Sequence, residues 1–171
     1  MSDTLIIPTA ALASVDCCGS IVPAPGAEDA TIVTNDGWFP DIALADFRAE
    51  MRIRESVTVQ RQRKAIIDAV IATGNDLQAW AAAQLATGYA KLEAVPSPAI
   101  GGQSRLLHCY RTAVFARAKA DLVERYRDID ITGDGNRRAE DLDPTIGELR
   151  RDATHAVRDI LGRTRTCVEL I

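Results

Sequence analysis

The longest periodic run in the chain limits the folds open to it. From Ser104 to about Arg127, Leu107, Tyr110, Val114, Ala118 and Leu122 recur three or four residues apart. That is the period of one helical face, and at about 1.5 Å per residue it predicts a helix roughly 35 Å long. A stripe of that length has to be covered by other helices. Asp41 can cap one that carries Ile42, Leu44, Phe47 and Met51 on its inner side. Ser56 or Thr58 starts a second, with Ile66, Ile67, Val70 and Ile71 in phase and Gly74 as its stop. Asn75 with Gln78 has capping-box spacing and opens an Ala-rich helix through Leu77, Trp80, Ala81 and Leu85 to Gly88, after a tight corner. Asp143-Pro144 is a cap followed by proline, and Ile146, Leu149, Ala153, Ala156, Ile160 and Leu161 line one face up to Gly162.

Composition agrees with this helical pattern. Alanine occurs 27 times, whereas aromatic residues make up only 5% of the chain, a poor supply for the strands of a sandwich or barrel. The expected fold is therefore all-α, a compact bundle of about five helices. Residues 1–37 hold Pro8, Pro23, Pro25 and three glycines with no sustained period, and read as an extended N-terminal arm outside the core. Trp38 and Phe39 anchor the start of a helical domain over 38–162, within which Tyr89 to Gln103 is a Pro- and Gly-bearing linker. Residues 163–171 form a strand-like C-terminal tail. Its Cys167, Val168, Leu170 and Ile171 are candidate partner-binding residues, because an apolar strand beyond a helical body has little core left to join.

At 171 residues and 18.5 kDa there is room for one domain. No stretch approaches the roughly 20 apolar residues that span a bilayer, so no membrane is expected. Thr4 to Ser14 is apolar, but Asp3 stands where a secretory leader needs basic residues and Pro8 interrupts the run. Cys17, Cys18, Cys109 and Cys167 follow no metal spacing, which points to a reducing cytosol and to no cofactor.

All 20 lysines and arginines lie at or after Arg48, while seven of the 24 acidic residues precede it. Seventeen of the bases are arginine, which suits interfaces as well as phosphates. Arg61 and Arg63 have no acidic residue at helical spacing, and Arg111, Arg117 and Lys119 sit in a second basic stretch. These five are the candidates for contact with DNA; a solvated face partly neutralised by pairs such as Glu50 with Arg54 and Asp121 with Arg125 is the plainer reading.

Catalytic and metal patterns are weak. Asp130-x-Thr132-x-Asp134-Gly135 with Asp141 imitates a calcium loop, but Arg137, Arg138 and an aspartate in the twelfth place spoil it. His108 and Cys109 are adjacent on a helix and point about 100° apart, a poor arrangement for a thiolate–imidazolium pair. His155 belongs to no triad, the vicinal Cys17-Cys18 has no further ligands nearby, and there is no phosphate-binding loop. A small helical DNA-binding module is the rival class, on the strength of the Gly74 corner. The helix after that corner carries no base, which a recognition helix needs.

Several stretches taken together resemble a known family. They are Leu5-Ile6-Ile7-Pro8, Phe39-Pro40-Asp41-Ile42 with Arg48 to Arg54, Leu92 with Val95-Pro96, Glu124-Arg125-Tyr126-Arg127, and Thr145-Ile146-x-Glu148-Leu149 with Arg151-Asp152 and Ala156-Val157. Their order and spacing resemble the head completion protein of contractile-tailed temperate phages, the gene-product-L family of head-to-tail connectors. Departures lie in Ala10 to Asn35 and in Asp128 to Asp143. The resemblance implies a structural, non-catalytic late protein, made in the host bacterial cytoplasm and incorporated in the virion. It implies docking beneath the portal protein after DNA packaging, a homo-oligomeric ring matching a twelvefold portal, a tail-side completion or terminator protein as the next partner, and packaged DNA in the channel.

Overall fold

The computed structural model describes residues 32–126 and 145–165. In order, these form β1 (Ile32–Val33), β2 (Ile42–Ala43), α1 (Leu44–Met51), α2 (Val59–Ala86), a single 3-10 turn (Leu92–Ala94), β3 (Ala99–Ile100), β4 (Gln103–Ser104), α3 (Arg105–Tyr126) and α4 (Ile146–Ile160). The body is mostly helical. The two antiparallel strand pairs, β1 with β2 and β3 with β4, are two residues long each.

Helix α3 is the hub, packed along α2 on one side and α4 on the other. Its central turns are buried nearly all round, from Tyr110 and Ala113 through Ala116 to Leu122. The alanines explain the close approach of its neighbours: Ala116 and Ala120 of α3 meet Leu149 and Ala153 of α4 in a small cluster of their own. The main core lies on the other side, where Phe39 stacks on Tyr110 with centroids 4.7 Å apart and Phe47 meets Phe115 edge to face at 5.4 Å. Helix α4 starts with a capping box, in which the Thr145 hydroxyl accepts from the Glu148 amide and the Glu148 carboxylate accepts from the Thr145 amide. The cap is thus Thr145, and Asp143 and Pro144 lie outside the described residues. Helices α2 and α4 end alike. Gly88 and Gly162 turn left-handed (φ +99° and +66°), letting the next amide, Tyr89 or Arg163, reach back to Gln84 or Arg158.

Several sequence expectations are corrected. The helices expected on either side of Gly74 are one helix, so α2 runs unbroken over 28 residues. The buried stripe Ala65, Ile66, Ala69, Thr73 and Leu77 keeps its period through the glycine. Gly74 costs about 1 kcal/mol of helix propensity, while burying Leu77 and half of Trp80 gains a few kcal/mol. This merger also accounts for four helices among the described residues in place of five. Ile71 and Leu85, expected inside, are 56% and 57% exposed, because α2 buries only the side facing α3.

Asp41 does not cap a helix. Ile42 belongs to β2, α1 starts at Leu44, and the Asp41 carboxylate accepts from the Asn35 amide. Residues 32–36 belong to the body, since Val33 is buried and Asp36 accepts the amides of Trp38 and Phe39 at 3.0 Å. The stretch from Tyr89 to Gln103 is also bound: Leu92 is fully buried and Gly101–Gly102, both with positive φ, make the tight turn of the β3–β4 hairpin. The arm before Ile32, the calcium-like loop and the tail residues Cys167, Val168, Leu170 and Ile171 lie outside the described residues. No helix among the described residues is long and apolar enough to cross a membrane.

Candidate functional site

The basic residues singled out in the sequence do not form one patch. Arg61 and Arg63 are on the first turns of α2. Arg61 is exposed, and Arg63 donates to the Ile32 carbonyl at 3.2 Å, tying β1 to α2. Arg111, Arg117 and Lys119 are on α3, where they spend their charge inside the molecule. Arg111 bridges Asp46 at 2.7 Å and Glu50 at 3.2 Å and lies over the Phe115 ring, so α3 holds the outer side of α1. Glu50 therefore serves Arg111 across the fold. Arg117 pairs with Asp76 of α2. Lys119 is only 5% exposed, and its ammonium donates to the Met51 carbonyl at 2.8 Å, meeting one of the carbonyls left open at the C-terminal end of α1. Asp121 and Arg125 pair at 2.8 Å, as their spacing predicts.

The chemistry around the remaining candidates is quiet. His108 lies at the surface, with Nε2 2.9 Å from the Ile100 carbonyl of the hairpin, and Cys109 is partly buried against the main core. Burial and the nearby Asp159 carboxylate push the Cys109 thiol up, away from the thiolate a nucleophile needs. No group of three or more potential metal ligands occurs among the described residues. A shallow groove of about 290 Å³ runs between β1, β2, α1 and α3. Asp41, Asp46 and Glu93 edge it and Ile42, Leu107 and Phe115 line it, without a nucleophile and base in reach of each other.

The described residues also offer a partner exposed apolar surface. The outward side of α2 carries Ile71 and Leu85, and Ile32 and Ile100 add two further exposed aliphatics at the strand pairs. Sequence periodicity placed Ile71 and Leu85 in the core. No local signal separates them from core residues, because from Ala69 to Ala86 the one charged residue is Asp76 and both sides of the helix are uncharged.

Comparison with known proteins gives this surface a context. Residues 33–171 match the family described as phage head completion protein (GPL). The head completion/stabilization protein of Escherichia phage P2 is 37% identical over 168 residues, which covers 98% of this chain and 99% of that protein. A probable head completion/stabilization protein of Haemophilus phage HP1 (strain HP1c1) is 28% identical over 143 residues, 84% of this chain and 94% of that protein. No solved structure matches significantly. With the family match covering most of its length and a relative alike from end to end, the chain belongs to the phage head completion protein (GPL) family.

Proposed function

We propose that this protein completes the DNA-filled phage head by docking as a ring under the portal protein, where it stabilises the packaged genome and offers the surface to which the tail joins. The carrying observation is the likeness to a head completion/stabilization protein along nearly the whole of both sequences. A helical body with distinct surfaces suits such a role. Heterologous contacts between copies close into a ring when the rotation per subunit divides the circle, and a twelvefold ring would match a twelvefold portal.

In this ring Arg61 and Arg63 would meet packaged DNA. Arg111 and Arg117 would act through partly neutralised pairs, and Lys119 would contribute through the fold that it ties together. The tail residues Cys167, Val168, Leu170 and Ile171 would add as a strand to the portal or to a neighbouring copy. The rival DNA-binding module loses its structural hint, since no corner exists at Gly74.

The direct test is the copy number of this chain relative to the portal in purified DNA-filled heads, by quantitative mass spectrometry. A ratio near one is expected; absence of the chain from the heads refutes the connector role. A chain ending at Thr164 should fail to assemble on portals, and normal assembly would remove the tail from the interface. Charge reversal by Arg61→Glu with Arg63→Glu should lower genome retention, and full retention would remove the channel role.

A further inference from the structure

The outward face of α2 is unusual for a surface this exposed. Ile71, Asn75, Gln78, Ala82 and Leu85 follow one another in alternating steps of four and three, and all are exposed. That is the spacing of a helical seam meant to be covered, yet nothing among the described residues covers it. At about 1.5 Å per residue it is roughly 21 Å long. The single charge in this half of the helix, Asp76, is taken by Arg117, so whatever lies on the face meets no ion to pair with.

Three observations point to one occupant. The chain enters the body at the foot of this face: Arg63 holds the Ile32 carbonyl of β1, and Arg63, Ile67, Ile71 and Asn75 are successive four-residue steps along one ridge of α2. Thirty-one residues precede Ile32; extended, they span up to about 100 Å, whereas Ile71 is only about 12 Å along the helix from Arg63. Within them Thr4 to Ser14 is free of charge and carries Leu5, Ile6, Ile7 and Leu12. An uncharged apolar segment and an uncharged face gain by covering each other, since neither has to strip water from an ion.

We infer that the N-terminal segment Leu5 to Leu12 packs on the outward face of α2 of its own molecule, over Ile71 and Leu85. Tethering favours this over a second copy, because belonging to the same chain raises the effective concentration of the segment at the face. The face is then kept covered in the free subunit.

The test uses the full chain with Ala82→Cys, on the face beside Leu85, and follows thiol labelling of the peptide that contains position 82 by mass spectrometry. With the natural arm, labelling should be slow. With Leu5→Asp, Ile6→Asp and Ile7→Asp together it should rise by about tenfold or more, while Ala24→Asp with Ala27→Asp, outside the apolar segment, should leave the slow rate unchanged. Equal rates with natural and Leu5/Ile6/Ile7-substituted arms would overturn the inference, and so would a rise with the Ala24/Ala27 pair. A slow rate that becomes fast on dilution would overturn it in favour of a second copy.

Discussion

The buried phenol of Tyr110 gives a test in which the sign of a stability difference reverses with pH. Tyr110 is fully buried, stacked on Phe39, and its hydroxyl accepts from the Asn35 side-chain amide at 2.8 Å. Tyr110→Phe keeps the stack and removes the oxygen. At pH 7 the variant should be less stable by about 1 kcal/mol, the usual net worth of one such bond. Burial pushes the Tyr110 phenol up from 10.0 to about 12, with Asp36 adding to the rise and the Asn35 bond opposing it. Between those values the unfolded chain releases a proton that the folded chain retains. Stability is thus fully present below pH 10 and is lost as pH rises, by about 1.4 kcal/mol per unit. The natural protein should lose roughly 2 to 3 kcal/mol this way by pH 12, a loss the phenylalanine variant does not share. The two stabilities should therefore cross near pH 11, with the variant the more stable above it. Urea unfolding followed by the fluorescence of Trp38 and Trp80 from pH 7 to 12 measures both curves. Parallel curves over the whole range would show that the phenol titrates alike in both states and would refute this account of its burial.

Gly74→Ala should raise stability by about 0.5–1 kcal/mol, because an added Cβ meets nothing within 4 Å on a helical backbone; a loss of stability in thermal unfolding would indicate a corner there after all. Thr145→Ala should cost about 1 kcal/mol by removing the α4 cap, measured as a fall in urea midpoint at unchanged slope. The Thr145 hydrogen bonds hold the Glu148 carboxyl below its ordinary range, so this contribution is present above the usual glutamate value and fades as pH falls through the lowered one. Glu148→Gln should flatten that acid limb, and an unchanged acid limb would refute the box. Cys109 should react with a thiol reagent at neutral pH more slowly than a free thiol, since burial raises its pKa; labelling as fast as that of a model thiol would contradict its packing against the core.

Much of the fold was legible because its signals are local. The limits of α3 and the inner face of α4 follow from apolar spacing, and Gly88 and Gly162 stop their helices because only a residue free to turn left-handed allows the closing hydrogen bonds. The family was legible from ordered short matches along the chain. What could not be read is equally specific. Gly74 followed by Asn75 carries a stop signal identical in kind to that at Gly88, and only the packing of Leu77 and Trp80 on the body decides that the helix continues. Ile71 looked like core because a helix with apolar residues on two sides does not announce which side its neighbour takes. The basic residues of α3 looked available because their partners, Asp46, Glu50, Asp76 and the Met51 carbonyl, are 41 to 68 residues away in the chain. By itself, then, the sequence determined the helical class, most element ends and the family, since periodicity, caps and short motifs act over a few residues. The tertiary structure alone decided which face of α2 stays exposed and which charges are spent within the fold, since both depend on residues that only folding brings together.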